Sequence, residues 1–332
     1  MPTNNTVYNN LTPVDPTPVD ALRMIIEEEL VELRPTDYVL TSLLAKRDHF
    51  QSQIRWNVNL SDDESTGSLV DADHNPASSD TVKLAYLPIG TFAFRETVSL
   101  LKTDIRQARA AGVGALRDLI AYSTKTKIEK MMKGLNKALY LGQGEAERGG
   151  VYGLDLVTNL DETYAGIDPL ASGSETWVSP FESNPDVPEE LTRAKLFDAE
   201  RSLYEVGANY THIVTTPAII ADYKQLFDDS HPYSVTADAA STIDLGFTSA
   251  FFSGRPIIMD YNCPPGHMYW MDLSGIQLHS YSFDGTTKVM DLNISIAPVS
   301  NRNSLSERFE IALLPQLCVR NRRSVSGIKN IA

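Results

Sequence analysis

In the stretch from Asp260 to Tyr281, DYNCPPGHMYWMDLSGIQLHSY, one cysteine and two histidines lie within seventeen residues: Cys263, His267 and His279. Thiolate and imidazole are the ligands of a zinc site, but such a site needs a fourth group and converging side chains. A Cys-x3-His followed by a lone His lacks the paired spacing of zinc motifs. The simpler reading is a reverse turn at Pro264-Pro265-Gly266 between two strands, with a small thiol packed as apolar filler. A soluble metalloenzyme using Cys263, His267 and His279 stays open as a second alternative. Asp71-x-Asp73-x-Asn75 opens like a calcium loop. It has Pro76 where the loop needs Gly and Val82 where it needs Glu, so it reads as a solvated acidic tip. Gly142-x-Gly144 and Gly149-Gly150 follow the end of an expected helix, whereas a phosphate cradle precedes the start of one. No Gly-x-Ser-x-Gly or His-Glu-x-x-His occurs, and nothing gathers nucleophile, base and oxyanion donors. No enzyme activity and no cofactor are expected.

The chain that must position these residues has 332 residues, 42% of them hydrophobic, and a net charge of −14. That length suits one elaborate domain or two interleaved ones. No apolar run is long enough for a membrane span. The polar, proline-rich start MPTNNTVYNNLTPVDPTPVD lacks the pattern of a signal peptide. Two cysteines make no disulfide framework, which points to a reducing cytoplasm. The acidic balance argues against tight nucleic-acid binding, because phosphate contacts need clustered Lys and Arg. The charge is uneven, however. Five lysines and only Glu129 lie between Lys125 and Lys137, and the chain from Ile311 onward has three arginines, one lysine and no acid. Between Ser61 and Asp80, six acids meet no Lys or Arg. The lysine stripe is either a solvated helix face or a basic track for nucleic acid or an acidic partner.

The pattern predicts an extended arm, a helix from Asp20 to about Arg34, and a short helix capped by Thr36 through Leu44. Ile54, Trp56, Val58 and Leu60 then alternate with polar residues, the period of a half-exposed strand. Val82, Leu84 and Tyr86 alternate in a second strand, so the two form a hairpin with a polar tip. A lone two-stranded ribbon is marginal in water. With no obvious cover nearby, its apolar face is expected to need a second molecule. ETVSLLKTDIRQARA is expected as a helix, and Ala115–Tyr140 as a longer one of roughly 40 Å with Gly142 as its C-cap. Leu191–Val206 and PAIIADYKQLF read as helices. THIVTTP, GRPIIMD, HMYWMDL and GIQLHSY read as strands, and RFEIALLPQLCVRNRRS as a strand or strand pair broken at Pro315. Helix and strand mix without regular alternation, which gives an α+β class.

The order of these parts resembles the major capsid proteins of tailed double-stranded DNA phages, with the Hong Kong 97-like fold. ALYLGQGEAERGGVYGL is similar to the family's spine-helix end. LFDAERSLYEVGANYTHIVTTPAIIADYKQL is similar to its helix–strand–helix, FFSGRPIIMDYNCPPGHMYWMDLSGIQL to its strand–turn–strand, and PQLCVRNRRSVSGIKNI to its terminal strand. The resemblance implies an N-terminal arm with short helices (1–48), an extended β-hairpin loop (49–96), a peripheral domain with the spine helix (97–154), an axial domain (155–285) and peripheral C-terminal strands (286–332). It implies a chain that self-assembles into hexamers and pentamers of an icosahedral shell around packaged DNA held by weak non-specific contact. The implied partners are a separate scaffolding protein, a portal protein and, as a further candidate, a decoration or cement protein, with no membrane. Its implied place is the virion, after synthesis in a host bacterial cytoplasm. The inter-subunit contact would use Ile54, Trp56, Val58, Leu60, Asp62, Asp63, Glu64, Lys83 and Tyr86 of the extended loop. Lys125, Lys130, Lys133, Arg320, Arg322 and Arg323 are the candidate acceptor surface. The family's lysine–asparagine crosslink would fall on Lys83 with Asn301 or Asn303, but crosslinking is not expected. An encapsulin-like compartment is the first alternative.

Overall fold

The computed structural model describes residues 38–60, 82–91, 93–111, 113–144, 150–172, 174–183, 187–228, 250–282, 286–299 and 305–332. The arm, the helix expected at Asp20–Arg34, the acidic tip with Asp62, Asp63 and Glu64, the calcium-like run and Asn301 and Asn303 all lie outside these residues.

The described chain opens with a short helix, α1 (Val39–Leu43), and strand β1 (Ala45–His49). Tyr38, with no side-chain cap, precedes α1, so the helix is shorter than expected and Thr36 does not adjoin it. Strands β2 (Gln53–Asn59) and β3 (Val82–Pro88) pair antiparallel as the expected hairpin. Strand β4 (Phe94–Leu101) and helix α2 (Lys102–Ala111) follow. The helix expected from Glu96 is therefore half strand. Val98 and Leu100 point inward while Thr97, Ser99 and Leu101 are exposed, the period of two that a sheet requires.

Helix α3 spans Val113–Leu141 and is about 43 Å long. Ile120, Thr124, Ile128, Met131, Leu135 and Leu139 recur at three- and four-residue steps, and all are buried. Gly142 follows directly. It is not in the left-handed region that a glycine C-cap would use. A Cβ there would sit 2.1 Å from the Val151 carbonyl oxygen and 2.5 Å from that of Ala138, so close backbone approach, not a special φ, requires glycine. Gly153 Nα donates to the Gly142 carbonyl and the chain turns into helix α4 (Leu154–Thr158).

Beyond it lie β5 (Glu182–Ser183), α5 (Arg193–Glu205), β6 (His212–Thr215) and α6 (Pro217–Asp228). Thr192 caps α5 by accepting from Lys195 Nα at 3.3 Å. Strands β7 (Ala250–Phe252), β8 (Arg255–Met259), β9 (Met268–Met271) and β10 (Ile276–Tyr281) come next. The chain then forms β11 (Thr286–Val289), β12 (Leu292–Val299), β13 (Ser306–Leu313), β14 (Pro315–Val319) and β15 (Val325–Ile328).

Besides the hairpin there are three sheets among the described residues. Their orders are β1-β10-β14, β11-β12-β13-β4 and β5-β15-β9-β6-β8-β7. β6 and β8 are parallel, and α6 lies in the connection between them. Most other pairings are antiparallel, which makes the architecture α+β. The last strand, β15, sits between β5 and β9, so the chain's end is built into the same sheet as residues 212–271. One hydrophobic core joins α3, the hairpin and the three- and four-stranded sheets. A smaller one packs Leu196 and Leu203 of α5 and Ile219 of α6 against Ile213, Ile257, Trp270 and Ile328.

Candidate assembly surface

The hairpin carries apolar residues on both faces, and the two faces have different fates. Ile54, Trp56, Val58 and Leu60 share a face with Lys83, Ala85 and Leu87, as the register Trp56↔Ala85 requires. This face is covered by the chain's own body. Ile54, Leu60, Ala85 and Leu87 are buried in the main core, and Trp56 and Val58 pack against it. The Trp56 indole N–H donates to the Arg320 carbonyl at 3.0 Å, and Thr176 Oγ1 donates to the Leu60 carbonyl at 3.0 Å. Lys83 Nζ donates to Ser174 Oγ. The expectation that this apolar side needs a second molecule is therefore corrected. Ile54, Trp56, Val58, Leu60 and Lys83 contact their own chain, because residues 164–177 and 316–323, distant in sequence, supply the cover.

The opposite face is where an uncovered apolar stripe lies. Val82, Leu84 and Tyr86 are 57%, 53% and 44% exposed, and they stand beside Asn59, Asn57 and Arg55 across the pair. Tyr86 Nα donates to the Ala165 carbonyl at 2.9 Å, which docks the ribbon's edge on the 164–167 turn. Gly166 makes this possible: its φ is +76°, and a Cβ would stand 2.3 Å from the Tyr86 ring. Of the stripe, only Tyr86 was among the expected contact residues. Val82 and Leu84 were legible as alternating apolar positions, but not as a face distinct from that of Trp56, which the register shows.

The expected acceptor surface is also redistributed. Arg322 is fully buried. Its guanidinium donates to the carbonyls of Val157 at 2.8 Å, Glu162 at 2.9 Å and Trp177 at 3.1 Å, and also to Asn159. It thus satisfies the C-terminal carbonyls of α4 and cannot serve a neighbour. Desolvation pulls its pKa down to about 10. Lys130 pairs with Glu96 at 2.7 Å, joined by Lys127 at 3.3 Å, so part of the lysine stripe binds β4 of its own chain. Lys125 is half-buried and Lys133 exposed. Arg320 is exposed and Arg323 half-buried, with Arg323 Nε donating to the Thr176 carbonyl at 3.0 Å. The two arginines line a cleft of about 310 Å³ with Asn57, Asn59, Asn321 and Trp177.

The opening triad does not converge. Cys263 is buried, its thiol pushed up by burial and lying 3.6 Å from the His267 carbonyl. His267 Nδ1 meets the Pro265 carbonyl at 2.8 Å. His279 belongs to a different sheet, edge-on to His49 at 5.6 Å. Among the described residues no three of His, Cys, Asp and Glu are grouped to hold a metal, so the metalloenzyme alternative has no site at these positions. What Asp260 does instead is join three segments. Its Oδ2 accepts from Tyr140 Oη at 2.7 Å, Asn136 Nδ2 at 2.9 Å and Leu40 Nα at 3.4 Å, while Oδ1 accepts from Asn262 Nα at 2.8 Å. Asn136 Oδ1 in turn accepts from Thr41 Nα and Oγ1, each at 3.0 Å.

No protein-family model and no curated protein sequence matches the chain. Solved structures do. The chain is similar to the capsid asymmetric unit of cyanophage A-1(L), with a TM-score of 0.73 and 21% identity over 89% of this chain and 93% of that one. The chain has the Hong Kong 97-like capsid fold. The same fold links it to the capsid of a native GTA particle, with a TM-score of 0.63 and 12% identity over 90% and 92% of the two chains. It also links it to the holo-SrpI encapsulin complex of Synechococcus elongatus, with a TM-score of 0.59 and 14% identity over 91% and 89%. In this capsid fold the long helix α3 and the ribbon β2–β3 are the features that the order of sequence patterns had already suggested.

Proposed function

We propose that the chain is the major capsid protein of a tailed phage, assembling with copies of itself into a closed icosahedral shell around double-stranded DNA. The observation that carries this reading is the near full-length likeness to a cyanophage capsid subunit, which exceeds the likeness to an encapsulin. The role is association rather than turnover: many copies of one modest interface, closed by symmetry, make a stable wall. The exposed stripe Val82, Leu84 and Tyr86 supports it, because a ribbon with an apolar outer face can be covered by the next copy. The acidic balance suits a container whose wall should not grip DNA.

In this reading residues 1–48 are the arm, 49–96 the extended loop, 97–154 and 286–332 peripheral, and 155–285 axial. Two strands cross these bounds: β15, a peripheral-segment strand, completes the large mixed sheet, and β10, within the axial range, pairs with β1 and β14. Scaffolding and portal proteins are the partners such a head requires, with a decoration protein as a further one, and the virion is its place. No helix among the described residues is long and apolar enough to cross a membrane.

The test is to express the chain with its native assembly partners and examine the product by negative-stain microscopy and sedimentation. Closed shells, or sheets and tubes of capsomers, are expected. A monodisperse species of 36.7 kDa at every concentration would overturn the reading. Nuclease-protected DNA inside native particles separates a phage head from an enzyme-filled compartment.

A further inference from the structure

The cleft between the ribbon and the 320–323 turn has a volume of about 310 Å³. Among the described residues its lining holds two cations, Arg320 and Arg323, and no carboxylate. Asn57, Asn59, Asn321 and Thr176 add neutral polar groups. Hydrogen bonds of 3.0 Å fix its walls: the Trp56 indole donates to the Arg320 carbonyl, Thr176 Oγ1 to the Leu60 carbonyl, and Arg323 Nε to the Thr176 carbonyl. Walls held in this way lose little freedom when a ligand enters.

The charge behind the cleft has one sign. Arg320 follows β14, and its side chain reaches the fully buried thiol of Cys318. In the same sheet β1 sets Arg47 beside His279 of β10, and the His49 ring stands 5.6 Å from that of His279. His279 is more than nine-tenths buried, and neither of its ring nitrogens has a partner among the described residues. The acid between Arg47 and His49, Asp48, belongs to the other face of β1, where Lys288 and Asn293 each hold it at 2.9 Å. Positive charge is therefore gathered at this one place in a chain whose net charge is −14.

We propose that this cleft is a binding site for one tetrahedral oxyanion of the phosphate class, held between Arg320 and Arg323. A guanidinium fork donates two parallel hydrogen bonds to an oxyanion. Two forks lining one cleft suit a tetrahedral group, whose oxygens point in several directions, better than a carboxylate, whose two oxygens lie in one plane. The anion also offsets the mutual repulsion of Arg320, Arg47 and His279. The phosphate is either free or part of a nucleic-acid backbone, and the contact is chemically the same for both. The site is complete within one chain and goes beyond the capsid reading.

The experiment titrates the full, unassembled chain with inorganic phosphate by isothermal calorimetry near neutral pH, with sodium acetate and sodium chloride at matched ionic strength as controls. One saturable phosphate site is expected, with no saturable binding of acetate or chloride. Arg320→Ala should weaken phosphate binding at least about tenfold, with the circular dichroism spectrum unchanged. Arg320→Lys keeps the charge but loses the fork, so it should recover only part of the affinity. Lys133→Ala, exposed on α3, should bind as the wild type does. No saturable phosphate binding by the wild type, equal binding of acetate, or undiminished phosphate binding by folded Arg320→Ala overturns the proposal. A short DNA duplex is titrated in parallel. Tighter binding that Arg320→Ala removes assigns the phosphate to nucleic acid, and Arg320-dependent binding of inorganic phosphate alone assigns it to a free anion; both outcomes support the site. Failure of the chain to form shells defeats the capsid reading and leaves this test unaffected.

Discussion

At the scale of single residues, the clearest feature is a buried histidine without a partner. His279 is 5% exposed, and neither ring nitrogen has a hydrogen-bond partner among the described residues. Burial, with His49, Arg47 and Arg320 nearby, lowers its pKa from 6.5 to about 4. The folded chain keeps the ring neutral while the unfolded chain protonates it near pH 6.5. The stability is therefore fully present above pH 6.5 and is lost as the pH falls towards 4, where the loss levels off. Between pH 7.5 and 4.5 this amounts to roughly 2–3 kcal/mol. Urea unfolding of the unassembled chain and of His279→Gln should show the wild type losing that much more than the variant over this range. Parallel pH profiles would refute the assignment. The sequence could name His279 as a zinc candidate but not its surroundings, because those come from β1 and from the turn at Arg320. Arg322 was misassigned for the same reason. A run of Arg322 and Arg323 reads as surface charge until the helix carbonyls of Leu154–Thr158 are placed beneath one of them.

At the scale of elements, periodicity was informative where an element has one wet face. β2, β3 and α3 were legible from their own residues, and so were α5 and α6, though the expected start of α5 at Leu191 passed over its Thr192 cap. The strand β4 was not, since VSLL next to a helical run fits either period, and its partner β13 lies about 200 residues later. The glycine after α3 was legible as a stop but for the wrong reason. Gly142→Ala would drive a methyl group into the Val151 and Ala138 carbonyls, neither of which is a movable side chain. A loss of at least about 2 kcal/mol is expected, read as a lower thermal midpoint of the purified chain. An unchanged midpoint would show that the helix end relaxes freely. Gly142→Ala should be worse than Gly207→Ala in the share of the loss caused by contact, because nothing lies within 4 Å of a Cβ at Gly207, where only the +69° φ resists it.

At the scale of the molecule, the sequence made the fold class and the order of parts legible, and the order carried more than any motif. It could not show that the ribbon's inner face is covered by its own chain, since that cover comes from residues 164–177 and 316–323. The shell reading therefore stands on the fold and the outer stripe, not on an orphaned ribbon. Val82→Ser combined with Leu84→Ser should leave unfolding of the isolated chain within about 0.5 kcal/mol, as expected for exposed positions. The same pair should reduce particle yield markedly, since about 25 cal/mol is lost per Å² of apolar contact in every repeated interface. Full assembly of this variant would show that the stripe faces solvent in the shell.

Asp260, next after β8 of the large sheet, bonds through its carboxylate to the backbone of Leu40 at one end of the described chain, to Asn136 and Tyr140 on the long helix, and to the Asn262 backbone. A joint made of buried bonds in several directions resists bending. If the wall changes shape as it fills, the pivot must therefore lie elsewhere in each subunit. The arm's root, the far end of the long helix and the last strand before Asp260 will travel together, as one rigid knuckle.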